Sequence, residues 1–419
     1  MRLLLLTPSL PYPPHQGGAL RNFGIIHMLA GMGFSLTLIS FHDSPVAPAA
    51  SPLAALCASI ITVPAPARPI GARLRDLFLS SRPDLAERLN HPAMTDALRR
   101  ILDQSVFDAV IFEGLEMAVY LPLVRALQPN ARLIYDAHNA EYRLQAAISQ
   151  IEISRLSRLP AALYSSVQAR RIAHFERDIC RAAHGILAVS DEDADSLRAF
   201  RPDRRIFVIP NGIFADEYAP SSARQLDLGD HALIFTGKMD YRPNVDAMQW
   251  FASAILPRIK VRIPDVRLYI VGQKPHASLQ SLNDPNIAVT GWVEQVQPFL
   301  HAGAVYVAPL RMGSGTRLKL LEALASGIAV VATPIAAAGL SEEARFAMRL
   351  AADESAFADS VIDMLNNPSV RLDHAARGQE IVRRIYDWQA LAPRLFQALR
   401  ELGLTQKSDP SAAASASGS

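Results

Sequence analysis

At 419 residues, half of them apolar, the chain holds enough material for two ordinary domains, each with its own buried core. Its 42 basic against 40 acidic residues leave a formal charge of +2, too near neutral for the composition to argue for a nucleic-acid partner. The two cysteines, Cys57 and Cys180, stand far apart without metal-ligand spacing and read as small buried hydrophobes in a reducing compartment; no apolar stretch approaches the roughly 20 residues that span a bilayer.

The N-terminal MRLLLLTPSLP carries four leucines broken at once by Thr7 and Pro8, a strand and not a secretory signal. Short apolar runs bounded by Pro, Gly and polar residues occur at Leu3–Leu6, Leu36–Ser40, Ala109–Phe112, Leu133–Tyr135 and Gly185–Val189. They recur at Ala232–Phe235, Val266–Val271, Ala304–Val307 and Ile328–Ala332. Amphipathic segments lie between them. Strands buried on both faces have this pattern, so the class is α/β with parallel sheets. The fresh start at Ala232 predicts two such units, joined by the polar FADEYAPSSARQLDLGD, Phe214–Asp230. The expected domains are 1–225 and 226–385. Trp388–Leu402 reads as a closing amphipathic helix, with Leu391, Leu395, Leu399 and Leu402 at helical spacing. Pro393 fits it only in a first turn. The tail 405–419, TQKSDPSAAASASGS, cannot bury a core and is expected to be disordered.

In open α/β sheets, ligands sit beyond the carboxyl ends of strands, where loops lead into helix N-termini. After the first strand, PSLPYPPHQGGALRN (Pro8–Asn22) sets Gly17 and Gly18 at the start of a helix, where free amides favour an anion such as a phosphate. The alternative is that the two glycines only make a tight turn. After Leu133–Tyr135, YDAHNAEY crowds Asp136, His138, Asn139 and Glu141 together. His138 can there hydrogen-bond a substrate hydroxyl or take part in proton transfer, or else be a solvated or structurally satisfied histidine. After Ala232–Phe235, GKMDYRPN presents Lys238 and Arg242, cations suited to a diphosphate leaving group or else merely solvated.

After Ala304–Val307 comes RMGSGTRLKLLEALASG, Arg311–Gly327. Gly313 and Gly315 let the backbone approach a ligand closely, and Thr316 or Ser314 can cap the helix that follows. Leu318, Leu321, Leu324 and Ala325 form its apolar face. A phosphate held at this N-terminus by Arg317 and Lys319 is physically sensible. Glu322, one turn on, suits a pair of ribose hydroxyls, because a carboxylate accepts two hydrogen bonds at once. A plain Lys319–Glu322 pair at i, i+3, worth about 0.2–0.5 kcal/mol, would leave the glycines and the second cation unexplained.

With these residues in hand, the chain resembles the retaining family 4 glycosyltransferases, which have the GT-B fold. The likeness runs from about Leu3 to about Leu402 and is carried by ILAVSDEDADSLR, VIPNGI, VTGWVEQVQPFLHAGAVYVAPL and LASGIAVVATPIAAAGL. PNVDAMQWF and GSGTRLKLLEALASG are similar to a subgroup tied to surface-polysaccharide assembly. The resemblance implies two Rossmann-like domains facing an interdomain cleft, with a nucleotide-sugar donor bound mainly by the second. It also implies that the last helix, 386–402, packs back on the first.

By the same resemblance, Gly18 lies near the donor diphosphate and His138 near the transferred sugar. Lys238 takes the place of the family's arginine on the diphosphate, and Glu322 is the second glutamate of the E-x7-E motif, on the ribose. The position of the first glutamate, eight residues earlier, is Ser314, which supplies no charge. Arg311, the Ser314 hydroxyl and the loop amides are the groups left to hold the sugar ring. The implied reaction is hexosyl transfer with retention to a glycan or lipid-linked acceptor, with no cofactor. Lys238, Arg317, Lys319 and helix N-termini would stabilise the leaving diphosphate without a metal. DEDAD, Asp191–Asp195, reads as a helix start and not as a metal-binding D-x-D pair.

Two other readings compete with this one. A non-catalytic nucleotide-sugar-binding partner subunit would follow from loss of the first glutamate. A nicotinamide-dependent oxidoreductase needs a G-x-G-x-x-G turn after a first strand, and neither half supplies it. Two arginine-rich stretches, IGARLRDLF (Ile70–Phe78) and Arg143–Arg181 with Arg155, Arg158, Arg170 and Arg171, suit either an anionic membrane surface or a solvated face. The first choice places a cytoplasmic protein on the inner face of the membrane.

Overall fold

The structure, a computed structural model, describes residues 1–14, 17–42, 51–67, 80–146, 159–203, 205–219, 226–282, 284–312 and 318–405, with 69, 71 and 75. The chain forms two compact units. The first comprises Met1–Ile209 with the chain from Ala392 onward, and the second Pro210–Leu391.

The first unit is built on a seven-stranded sheet in the order β3-β2-β1-β4-β5-β6-β7. Its strands are β1 (Arg2–Thr7), β2 (Ser35–His42), β3 (Ser59–Pro64), β4 (Ala109–Glu113), β5 (Arg132–Ala137), β6 (Gly185–Ala188) and β7 (Ile206–Val208). All pair in parallel, with Leu5 of β1 between Leu38 and Ile111. Leu3, Leu4, Leu5 and Leu6 are all fully buried, which is why the run needs no polar alternation. Helix α1 (Gly17–Gly31) follows β1, α2 (Leu159–Ala182) lies between β5 and β6, and α3 (Asp191–Arg198) follows β6. Ser190 caps α3 by accepting from the Asp193 N–H, so DEDAD does open a helix.

The second unit has a six-stranded parallel sheet, β10-β9-β8-β11-β12-β13. The strands are β8 (Ala232–Thr236), β9 (Arg267–Val271), β10 (Ile287–Gly291), β11 (Val305–Ala308), β12 (Ala329–Ala332) and β13 (Arg349–Leu350). Helix α4 (Arg242–Trp250) follows β8, α5 (Leu318–Ala325) follows β11, and α6 (Trp388–Glu401) closes the described chain. Cys57 and Cys180 are buried free thiols.

The nine apolar runs of the sequence are all strands, and the strands they miss are β3, β7, β10 and β13. Those four are the sheet edges. An edge strand is covered on fewer sides and tolerates mixed polarity: β10 is half-buried throughout, and both residues of β13 are exposed.

The division at Ile209–Pro210 falls ahead of the join expected at 225. Ile213 bridges Asp387 in parallel, donating to the Tyr386 carbonyl at 2.9 Å and accepting from the Trp388 N–H at 3.1 Å. The Ala215 N–H donates to Asp387 Oδ2 at 2.9 Å. These bonds fasten the start of the join into the second unit. Within α6, Pro393 lies in the second turn and not, as expected, in the first. Its ring forfeits one helical hydrogen bond, and the buried Leu391, Leu395, Ala398, Leu399 and Leu402 hold the helix through it. All but Thr405 of the expected disordered tail lies outside the described residues.

Candidate functional site

In the first unit, β4 and β5 run side by side with Glu113 in register with Asp136. Two fully buried carboxyl groups therefore leave adjacent strand ends together. Arg21, in the second turn of α1 and 1% exposed, answers them. Its Nε and Nη2 donate to the two Asp136 oxygens at 2.8 and 2.5 Å, and Nη1 donates to the Ile209 carbonyl at 2.9 Å.

One guanidinium cannot balance two ionised acids in a site this dry. Burial, and then the Asp136 charge, push the Glu113 carboxyl well above the usual range, and the two carboxyls are hydrogen-bonded to each other. Burial opposes the Asp136 charge too, but Arg21 and the Glu113 hydrogen bond outweigh it and hold Asp136 below the ordinary carboxylate range. Glu113 is thus the acid that keeps a proton. Asn22, its amide oriented by its neighbours, donates to Glu113 Oε2 at 2.9 Å and to the Gly18 carbonyl at 3.1 Å.

His138, two residues beyond Asp136, sits over this network. Its Nε2 lies 3.5 Å from Glu113 Oε2 and 4.0 Å from Asp136 Oδ2, and the ring is 23% exposed. Burial lowers its pKa against the pull of Asp136, so the ring is neutral at neutral pH and can accept a hydrogen bond. A Cβ on Gly18 would lie 3.7 Å from His138 Cε1 and 3.8 Å from Nδ1; the two predicted residues are neighbours. Ligand atoms of Glu113, Asp136 and His138 lie within 4.8 Å of one another, the one such set among the described residues. Within this set Arg21 neutralises the Asp136 charge, and Glu113 and Asp136 are hydrogen-bonded to each other.

In the second unit, β8 ends at Thr236 and the backbone turns through Gly237 at φ 149°. Gly272, at φ 151° after β9, passes so close that a Cβ there would lie 1.7 Å from the Gly237 carbonyl oxygen. Only glycine allows that approach. Beyond the turn, Asn244 of α4 is 4% exposed. Its Nδ2 donates to the Lys238 carbonyl at 2.9 Å, and its Oδ1 accepts from Lys319 Nζ at 2.8 Å. Lys319 reaches there from α5, its Nζ 4.3 Å from the centre of the buried Phe235 ring, a cation–π contact. The Lys238 side chain is 52% exposed and lies 3.8 Å from Asp240. Arg242 is the exposed first residue of α4, and Gly17 the exposed first residue of α1.

Glu322 lies one turn beyond Lys319 and is hydrogen-bonded to the Tyr218 hydroxyl. Burial raises its pKa, with the Tyr218 bond and the Lys319 charge opposing. Arg311, expected to be available to a sugar, is committed elsewhere. It donates to both Asp246 oxygens at 3.0 and 2.6 Å, and its guanidinium stacks 5.1 Å from the Trp250 ring centre.

The structure thus gathers Gly18 with His138 in one unit, and the Lys238 turn with Lys319 and Glu322 in the other. Gly313, Ser314, Gly315, Thr316 and Arg317 lie outside the described residues, as do Arg155, Arg158 and all of Ile70–Phe78 except Gly71 and Arg75. Arg170 on α2 is exposed and Arg171 half-buried. No helix among the described residues is long and apolar enough to cross a membrane. Sequence reasoning missed Arg21, Asn22, Glu113, Tyr218 and Asn244. Arg21, Asn22 and Asn244 stand inside stretches singled out for their glycines and cations, and Glu113 directly follows the predicted strand Ala109–Phe112. Tyr218, in the polar join, gave no signal.

A model described as Glycosyltransferase Family 4 matches residues 17–217, and one described as Glycosyl transferases group 1 matches residues 230–367. An uncharacterized 44.6 kDa protein in the cps region of Klebsiella pneumoniae is 21% identical over 407 residues, covering 94% of this chain and 99% of that one. A phosphatidyl-myo-inositol mannosyltransferase of Mycobacterium tuberculosis is 31% identical over 203 residues, 45% of this chain and 52% of that one. The solved structure of a sucrose-phosphate synthase from Thermosynechococcus elongatus superposes with a TM-score of 0.72 at 17% identity, covering 96% of this chain and 99% of that one. That likeness shows the fold.

Proposed function

Because the chain belongs to glycosyltransferase family 4 and has the GT-B fold, we propose that it moves a sugar from a nucleotide-diphosphate sugar to a glycan or lipid-linked acceptor, with retention of anomeric configuration. The acceptor chemistry fits synthesis of a cell-surface polysaccharide or glycolipid. In support stand the relative from a cps region and the relative that mannosylates phosphatidyl-myo-inositol. The work would be done in the cytoplasm, on the inner face of the membrane.

The observation that carries this reading is the setting of Lys319. Its ammonium lies 2.8 Å from Asn244 at the Gly237–Lys238 turn, with Glu322 one helical turn away. A fixed cation beside a bare backbone turn suits a diphosphate, and a part-buried carboxylate at that distance suits ribose hydroxyls.

In the proposed reaction, the bond between the anomeric carbon and the diphosphate oxygen breaks. Positive charge develops on the sugar and negative charge on the diphosphate. Lys319 and Lys238 stabilise the leaving group, with Arg317, Arg242 and the amides of Gly313, Ser314, Gly315 and Thr316 assigned to the same donor. The acceptor oxygen bonds to the anomeric carbon on the face that the diphosphate leaves, its proton passes to the leaving phosphate, and no metal or other cofactor is assigned a role. Gly17 and Gly18 offer amides to the diphosphate, and the neutral His138 ring accepts a hydrogen bond from a sugar hydroxyl.

Titration with UDP and GDP, then with their sugars, tests the assignment. Lys319→Ala and Glu322→Ala are each expected to weaken nucleotide binding about tenfold or more, as loss of a charged hydrogen bond implies. Unchanged affinity in both variants would show the donor site to be misplaced. Tight binding without transfer or hydrolysis on any acceptor would make the chain a partner subunit instead of an enzyme.

A further inference from the structure

We propose that Asn244 is a positioning residue of the donor site, tying the Lys319 ammonium to the backbone of the Gly237–Lys238 turn so that both lysines are presented to a diphosphate as one preformed unit. This rests on the reading above that a diphosphate binds there.

The amide's orientation is fixed by its partners. The Lys238 carbonyl only accepts, so Asn244 must offer Nδ2 to it, at 2.9 Å. Lysine only donates, so Oδ1 is what meets Lys319 Nζ, at 2.8 Å. A flipped amide would set donor against donor and acceptor against acceptor. Asn244 is itself held by the start of α4, where its N–H donates to the Tyr241 carbonyl at 2.9 Å. At 4% exposure, water offers neither of its side-chain atoms a replacement partner.

The turn is fitted to this arrangement. A Cβ on Gly237 would lie 2.8 Å from both Asn244 Nδ2 and Lys319 Nζ, so its backbone runs directly beneath the two side chains. Lys319 is held on a second side by the Phe235 ring at 4.3 Å. A lysine on a free four-carbon stem would lose its rotamer freedom only when the ligand arrives, and that loss would weaken binding. Here Asn244 and Phe235 restrict it beforehand.

The test is a double-mutant cycle read by calorimetric titration of the tighter-binding of UDP and GDP, on the full chain. Asn244→Ala in the wild-type background is expected to weaken binding about tenfold, and in the Lys319→Ala background less than about twofold, because coupled residues are non-additive. Asn244→Ser, whose short hydroxyl cannot bridge both partners, should give the same pattern and serves if the alanine variant does not fold. Equal weakening by Asn244→Ala in both backgrounds would overturn the proposal, since Asn244 would then not act through Lys319. Loss of affinity in Lys319→Ala with none in Asn244→Ala would also overturn it while leaving the donor site in place. Unchanged affinity in all variants would instead remove the donor-site reading.

Discussion

Asp136→Asn is the sharpest probe of the first unit. The substitution keeps the shape of the side chain and removes one charge from a pair that is 1% and 0% exposed. Two Arg21 hydrogen bonds, at 2.8 and 2.5 Å, then meet an amide, and one of the two donors faces an NH2 group. The Ile209 carbonyl, at 2.9 Å, remains but carries no compensating charge. Removing one partner of a buried pair costs about 3–5 kcal/mol. For a folding unit of this size, that corresponds to a loss of roughly 6–20 °C in Tm.

Differential scanning calorimetry of the full chain, with far-UV circular dichroism alongside, reads the loss. The transition is expected to fall by both measurements. The double replacement Arg21→Met with Asp136→Leu, which removes both charges, should recover most of the loss. A drop below about 1 kcal/mol in Asp136→Asn would mean that Arg21 does not depend on Asp136, and the account of a dry, charge-balanced network would fail.

Two further outcomes follow from the same unit. Gly18→Ala adds a Cβ at ordinary contact distance, 3.7 Å, from His138, so Tm should stay within about 1 °C while transfer activity falls about tenfold or more, because a ligand must approach that backbone closely; an unchanged rate would remove Gly18 from the site. Glu176 is buried and accepts from the N–H groups of Tyr142 and Glu141 at 2.9 and 3.1 Å and from the Tyr135 hydroxyl at 3.2 Å. Burial nevertheless pushes its carboxyl up to about 7. The folded chain then keeps a proton that the unfolded chain has released, so this contribution to stability is complete below pH 4 and is lost as pH rises towards and past 7, by about 3 kcal/mol. Urea unfolding at pH 5 and pH 8 should show that decline in the wild type and a smaller one in Glu176→Gln; equal declines would refute it.

The parts of this molecule that could be read from its sequence are those where one residue's surroundings are set by the fold class alone. A central strand of a parallel sheet is covered on both faces and both flanks, so it must be an apolar run, and Leu3–Leu6 could be nothing else. An edge strand such as Ser59–Pro64 lacks one flank, and its polar residues carry no sign of the sheet they join. The same division runs through the candidate site. Gly18, His138, Lys238 and Glu322 stand where the α/β rule places ligand contacts, after strands and at helix starts. The residues that hold them come from elsewhere: Arg21 meets Asp136 across 115 positions, and Lys319 meets Asn244 across 75. Sequence spacing says nothing about such pairs, because they are set by which strand ends lie side by side.

This difference reorders the two lysines that the sequence treats alike. Lys238 directly follows a strand-end glycine, yet its side chain is 52% exposed and, among the described residues, its ion pair is with Asp240 at 3.8 Å. A solvent-screened pair of that kind is worth about 0–1 kcal/mol and fixes little. Lys319, the second residue of its helix, is half-buried, hydrogen-bonded at 2.8 Å and stacked at 4.3 Å. Electrostatic stabilisation of a leaving group depends on charges already in place when the bond breaks. In the proposed reaction the greater share of that task therefore falls to Lys319, and the main-chain carbonyl of Lys238, held by Asn244, matters to the geometry as much as its ammonium does.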